Sequence, residues 1–285
     1  MTSPYTPSNE KAIANLRWWN ILACFLHLGQ SVGAFILGMT DSTFTNFSPP
    51  LITTFAVWNQ TTGPKTEIQI RAHVPFAYLT CIVPLLSAIA HGVIASSWGW
   101  PKYTENIRHL RNPWRWLEYS ISSSLMIVLI AMLFCIYDIS LLLALFTINA
   151  TVMYTGRAMD IYNEEGVTLN RKIEFNNSTI LNINWKKWEP FIIGSVLASI
   201  EWAIIYMTMA QIDWSNLPLY IVPLLFIYFC LFISFAGVEF WFFYGERDFK
   251  RMLMAEKGFM ILSLCAKSLL LWLIFFGMRQ PGNRD

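Results

Sequence analysis

Residues 113–159 read PWRWLEYSISSSLMIVLIAMLFCIYDISLLLALFTINATVMYTGRAM. A helix needs roughly 20 apolar residues to cross a hydrocarbon layer of ~30 Å. This run of 47 residues is about twice that length, and only Tyr137 and Asp138 mark a join within it. It predicts two successive crossings, 113–135 and 138–159, joined by a tight turn. Working outward from it, five more stretches have span length: 17–39, 74–98, 188–211, 216–244 and 256–278. The 285 residues are 55% hydrophobic and 13% charged, with a mean hydropathy of +0.44, too apolar for an ordinary soluble domain. The expectation is an all-α membrane protein whose single domain, 1–285, is a bundle of seven transmembrane helices.

Residues 1–16 are polar and no small-residue cleavage site follows the first apolar run, so that span is expected to serve as its own anchor. Cys24, Cys81, Cys135, Cys230 and Cys265 all fall inside the predicted spans. They read as small buried hydrophobes, not as a disulfide framework. A net charge of +2 gives no reason to expect nucleic-acid binding.

The distribution of Lys and Arg is more informative than their total, because basic residues near span ends are retained in the cytoplasm. One side of the predicted bundle holds 15 of them, from Lys11 and Arg17 through the second, fourth and sixth loops. The other side holds 4: Lys65, Arg71, Arg279 and Arg284. This predicts a cytoplasmic N-terminus and an extracellular C-terminus, opposite to G-protein-coupled receptors and to the familiar ion-pumping microbial rhodopsins. In the first outer loop, Leu51 to Trp58 and Thr66 to Arg71 flank the turn-forming Asn59-Gln60-Thr61-Thr62-Gly63-Pro64, which predicts a short β-hairpin. Asn46 and Asn59 begin Asn-x-Ser/Thr sequons on the same side.

Lys267 stands at the midpoint of the seventh span, 11 residues from Glu256 and 11 from Met278. A charged lysine at that depth costs at least ~2.5 to 3.5 kcal/mol on insertion scales, so it needs a partner, a covalent modification or a role. One reading is an ion pair for packing alone. The other is a Schiff-base lysine, since a desolvated amine is nucleophilic toward an aldehyde. Ser263 lies one turn away on the same face.

A cationic nitrogen at Lys267 requires a carboxylate. Glu118 supplies one, five residues after Pro113 and therefore ~7 to 8 Å into its helix. Ser122 shares its face, and Arg115 is expected to extend toward the headgroups; a plainer reading pairs Glu118 with Arg115. His27 and His91, with Ser87 one turn before His91, are expected to form a polar cavity able to accept a proton. Glu201 and Glu239 are candidate relays or neutral hydrogen-bonded acids. Tyr119 and Met126, Tyr206 and Met207, and Phe226, Phe229 and Phe232 would line a long apolar cofactor. His-x-x-x-His pairs, nucleophile elbows and phosphate loops do not occur, so neither a metal site nor an enzyme is expected.

These residues resemble the heliorhodopsins. Arg115 to Met126, RWLEYSISSSLM, is similar to that family's third-helix signature with its counterion glutamate, and Ser263 to Trp272, SLCAKSLLLW, to its retinal-lysine segment. His27, Ser87 and His91 fall where the family has its polar cavity. The resemblance covers all seven spans and implies a rhodopsin-like bundle with all-trans retinal on Lys267 and Glu118 as counterion. It further implies light-driven isomerisation, loss of the Schiff-base proton, a slow signalling photocycle without ion pumping, a homodimer and a downstream signalling partner whose identity the sequence does not give. The alternative on the same scaffold is a light-gated proton conductance or transporter, for which Glu201 is the residue to watch. From another class, a retinal-free receptor or transporter would use Lys267 and Glu118 as a substrate-binding ion pair.

Overall fold

The computed structural model describes residues 7–41, 47–163, 185–211, 221–244 and 247–279. Helix α1 spans Pro7–Thr40, and the hairpin strands β1 and β2 span Pro50–Asn59 and Gly63–His73. Then come α2 (Phe76–Ala95), α3 (Gly99–Arg108), α4 (Pro113–Leu133), α5 (Ile139–Tyr162), α6 (Trp185–Met209), α7 (Ile221–Phe243) and α8 (Phe249–Arg279). Seven of these helices, all but α3, are long and apolar enough to cross a membrane, which agrees with a seven-helix rhodopsin-like bundle. Pairs α1–α2, α4–α5 and α5–α6 pack most extensively, while α8 touches α1, α2 and α7.

Helices α1 and α8 begin before the apolar runs do, at residues 7 and 249 instead of 17 and 256, because hydropathy marks where the hydrocarbon begins and not where hydrogen bonding begins. Residues 216–220 of the predicted sixth span, and Asn46, lie outside the described residues. The predicted join in the 113–159 run is a reversal. Helix α4 ends at Leu133, Cys135 takes a left-handed φ of 63°, and Asp138 caps α5 by accepting from the backbone of Ser140 at 2.9 Å and Leu141 at 3.2 Å. The same carboxylate accepts from the Thr54 backbone at 3.2 Å, tying β1 to this corner.

The hairpin is antiparallel, with Asn59 opposite Gly63. Asn59 Oδ1 closes its turn on the backbone of Thr61 and Thr62, and Gly63 supplies a φ of 80°. Helix α3, in the second loop, was not expected from the sequence; it is too short and polar to register as a span. The cysteines are free, but only Cys81 is buried. Cys135 lies past the end of α4, and Cys135, Cys230 and Cys265 are exposed, which corrects the reading of all five as buried hydrophobes inside spans.

Two large apolar clusters fill the bundle, beside a small third one of Ala34, Cys81 and Leu271. One lies toward the hairpin around Met126, Ile130, Trp202, Tyr228 and Leu270. The other lies toward the opposite end around Leu16, Ile107, Trp116, Phe242 and Phe259. Between them sits a belt of buried polar side chains that includes His27, Ser87, Ser122, Asn149, Glu201, Ser263 and Lys267.

Candidate functional site

Polar side chains in hydrocarbon survive by satisfying one another, and most of the belt does so around Lys267; the ring nitrogens of His27 have no hydrogen-bond partner among the described residues. The residue is 2% exposed. Its ammonium has three donors; one meets Glu118 Oε1 at 2.6 Å, one meets Ser263 Oγ at 2.9 Å, and the third goes to Ser87 Oγ. Glu118 Oε1 in turn accepts from Ser87 at 2.6 Å and from Ser122 at 2.7 Å. Three helices thus meet at one carboxylate oxygen: α2 through Ser87, α4 through Glu118 and Ser122, and α8 through Lys267. The Lys267 nitrogen also lies 5.1 Å from the centroid of the Tyr119 ring. Tyr119 donates from its hydroxyl to the Phe259 carbonyl at 3.0 Å.

On the α1 and α2 side, the rings of His27 and His91 stack 5.8 Å apart at 6°. His91 Nδ1 is 2.8 Å from Asn20 Oδ1. Asn20, His91 and Glu118 line a cavity of about 30 Å³, enough to hold water. Ser87, grouped in the sequence with the histidines, bonds directly to the Lys267–Glu118 pair.

On the other side lies a cavity of about 350 Å³, within the usual range for small-molecule sites. Lys267 and Ser263 open onto it, with Tyr119, Met126, Trp202, Phe229, Phe232 and Phe259 among its walls. Glu201 also lines it, held by Asn149 Nδ2 at 3.1 Å from both carboxylate oxygens. Asn149 Oδ1 accepts from Ser123 at 2.6 Å and from Ser124 at 3.3 Å. Glu239 lines it as well.

Three expected lining residues do not reach the cavity. Met207 and Phe226 are 66% and 63% exposed, and Tyr206 is exposed too, packing on the rings of Trp202 and Phe229 from outside. These residues face outward from α6 and α7, where hydrocarbon replaces a protein neighbour. Chemical type alone cannot separate that face from the inner one. Asn149 and Trp202 occupy the inner positions instead; a polar Asn in an apolar run was the only sequence signal for the first.

Arg115 is a further correction. It is 5% exposed and pairs with Glu256, not with Glu118 or the headgroups. Tyr103 Oη at 3.0 Å and Asn112 Nδ2 at 2.8 Å also donate to Glu256. Neighbouring Trp116 donates from Nε1 to Asp160 at 2.8 Å. Its ring lies so close to Gly156 that a Cβ there would collide with it.

A family model described as Heliorhodopsin matches residues 16–278, nearly the whole chain. The chain belongs to the heliorhodopsin family. Heliorhodopsins are retinal-binding, rhodopsin-like photoreceptors. No curated protein sequence matches the chain. The cavity fits the group that the family implies: a long apolar chamber with an amine at its wall, and a carboxylate bonded to that amine from the side facing away from the chamber.

The Arg115–Glu256 pair ties α4 to α8 at the end of the heliorhodopsin bundle away from the hairpin. Glu256→Gln should destabilise the protein by about 3 to 5 kcal/mol, because the Arg115 charge is left buried without its anion. Thermal unfolding in detergent reads the loss, and an unchanged midpoint would show that the pair contributes nothing net.

Proposed function

We propose that this heliorhodopsin is a light-sensing photoreceptor in which Lys267 binds retinal covalently and Glu118 is the counterion. The observation that carries the reading is the single Lys267–Glu118 contact at 2.6 Å, at the wall of the one large apolar cavity described. Retinal, held by Lys267 in its all-trans form, would supply light absorption and isomerisation about a double bond.

The protein supplies the charge environment. Once its nitrogen is bonded to carbon, Lys267 retains one N–H where the free ammonium has three. Of its neighbours Ser87, Ser263 and Glu118, only Glu118 carries a charge that stabilises the cation, so the remaining proton is held toward Glu118. Ser87 and Ser122 donate to that carboxylate and keep it ionised and oriented. A proton released from the Lys267 nitrogen finds Glu118 first, and beyond it the small cavity with His91 and the stacked His27. A neutral imidazole can accept a proton and return it without a path across the membrane. Return from the same side makes the cycle a signal instead of a pump.

The basic bias supports a cytoplasmic N-terminus and an extracellular hairpin and C-terminus. A homodimer working on a downstream signalling partner completes the proposal. A second reading, light-gated proton conductance, is favoured by one observation: Glu201 lines the same cavity as Lys267.

Lys267→Ala should yield a colourless protein when supplied with retinal; the same visible band in that variant would remove the core of the reading. In Glu118→Gln the visible band should be lost at a lower pH on alkaline titration, and an unmoved titration would place the counterion elsewhere. An N-terminal epitope should be reached only after cells are permeabilised, and labelling of intact cells would reverse the orientation. Continuous light should give no steady proton current; a current that disappears in Glu201→Gln would replace retention with conduction.

A further inference from the structure

The large cavity extends well past Lys267. Along α4 its wall runs from Trp116 to Met126, ten residues and so ~15 Å of helix. The arm away from the hairpin is closed by Trp116, Gly156, Met159, Phe259 and Glu239. Glu239 is 4% exposed, and neither of its carboxyl oxygens has a hydrogen-bond partner among the described residues.

Asp160 lies behind the same indole, its Oδ2 accepting from Trp116 Nε1 at 2.8 Å and from the Asn112 backbone at 3.2 Å. Its Oδ1, also buried, has no such partner.

The charged groups within electrostatic range of Glu239 are Arg115 on α4, Asp160 on α5, Arg247 just before α8 and Glu256 on α8; the described part of α6, which also packs on α7, contributes none. Arg115 is committed to Glu256, and Arg247 donates to the backbone carbonyls of Asn163, at 2.5 Å, and Leu110. Among the described residues, three carboxyls therefore face two guanidiniums. A buried uncompensated anion is expensive, and a proton on one carboxyl removes it. Glu256 has donors from Arg115, Tyr103 and Asn112, and Asp160 has two. Glu239 has none, and is the carboxyl with least to lose by protonation.

We propose that this arm is a second proton site of the cavity, in which Glu239 holds a proton in the dark and exchanges it through Asp160 with water at the hairpin-distal end. Exchange breaks the O–H bond of Glu239, leaving its carboxylate, and forms an O–H bond at Asp160 Oδ1 by way of water. Release from Asp160 and the reverse transfer restore the dark state, so only a proton moves. The inference rests on the reading of this cavity as the retinal site, since light must reach Glu239 through the cavity's contents. It differs from the histidine cavity, which is lined by Asn20, His91 and Glu118 and reaches Arg115 and Glu256 but includes neither Glu239 nor Asp160.

The test is light-minus-dark infrared difference spectroscopy on the retinal-loaded protein with ¹³C-labelled glutamate. A negative band, lost in the light, in the carbonyl-stretch region of protonated carboxylic acids should shift with the label, disappear in Glu239→Gln, and reappear at a moved frequency in Glu239→Asp; a positive band from Glu118 gaining a proton is separate from it. Asp160→Asn should keep that band in the dark state but slow its return after a flash, on the order of 100-fold, the low end of what a positioned proton-transfer group contributes. A wild-type spectrum with no negative glutamate band, or a negative band that persists unchanged in Glu239→Gln, overturns the proposal. So does a band absent at neutral pH that sodium titrates at fixed pH, which would make the arm a cation site. Because the wild-type measurement stands alone, a variant that fails to fold does not protect the idea. If Lys267→Ala keeps its colour, the retinal reading falls; if the pigment behaves as proposed and the glutamate band is missing, only this inference falls.

Discussion

One ammonium and one carboxylate, 2.6 Å apart in the interior of a membrane bundle, set the terms for the residues around them. Neither charge is tolerable alone in hydrocarbon, and removing one partner of such a pair leaves the other at a cost of about 3 to 5 kcal/mol. The pair therefore dictates that α4 and α8 meet at this height. It also dictates that α2 supply a hydroxyl, Ser87, small enough to sit between them. The photoreceptor chemistry proposed for the chain uses the same arrangement. A nitrogen that must stay cationic until light arrives requires an anion that cannot move away, and Glu118 is held by two serines besides the lysine itself.

The pair is one of two, and they behave differently. Arg115 and Glu256 lie about one turn from Glu118 along α4 and about three turns from Lys267 along α8, toward the end away from the hairpin. Tyr103 and Asn112 complete the coordination of Glu256 without opening it to the large cavity. Lys267 is a wall of that cavity. A guanidinium suits the position away from the large cavity because its planar fork keeps its charge, whereas an amine that can lose its charge suits the position on it. On the proposed reading, the choice of Lys at 267 and Arg at 115 is thus a division between a group that would react and a group that holds helices.

The bundle was legible because hydrocarbon imposes a length, and the apolar runs match it to within a few residues where helices end at the membrane surface. The hairpin was legible from its turn residues, and Lys267, Glu118, Ser122 and Ser263 from helical spacing around an expensive charge. What the sequence could not convey was rotation about each helix axis. Tyr206, Met207 and Phe226 are the right chemical types on the wrong faces, because a helix with apolar residues all round carries no signal of which side meets protein. The same ambiguity hid the partner of Arg115: Glu118 is three residues away and Glu256 is 141 away, and only the packing of α4 on α8 decides between them. Helix α3 was missed because short polar helices have no length rule to betray them.

Ser122, Ser123 and Ser124 draw the remaining consequence. Successive residues on a helix point about 100° apart, so the triplet cannot serve one site. Ser122 donates to Glu118, while Ser123 and Ser124 donate to Asn149, which holds Glu201. Helix α4 is thereby a partition between a small polar cavity on the histidine side and a large apolar one on the Glu201 side, with its own hydrogen bonds running away from each other. Tyr119 and Phe259 wall both cavities, and Lys267 links them through its charge, lining the large one and bonded to Glu118, which lines the small one. On the proposed reading, the Lys267 nitrogen is the ionisable group placed between the two sides, so the side to which it gives its proton would decide between retention and conduction.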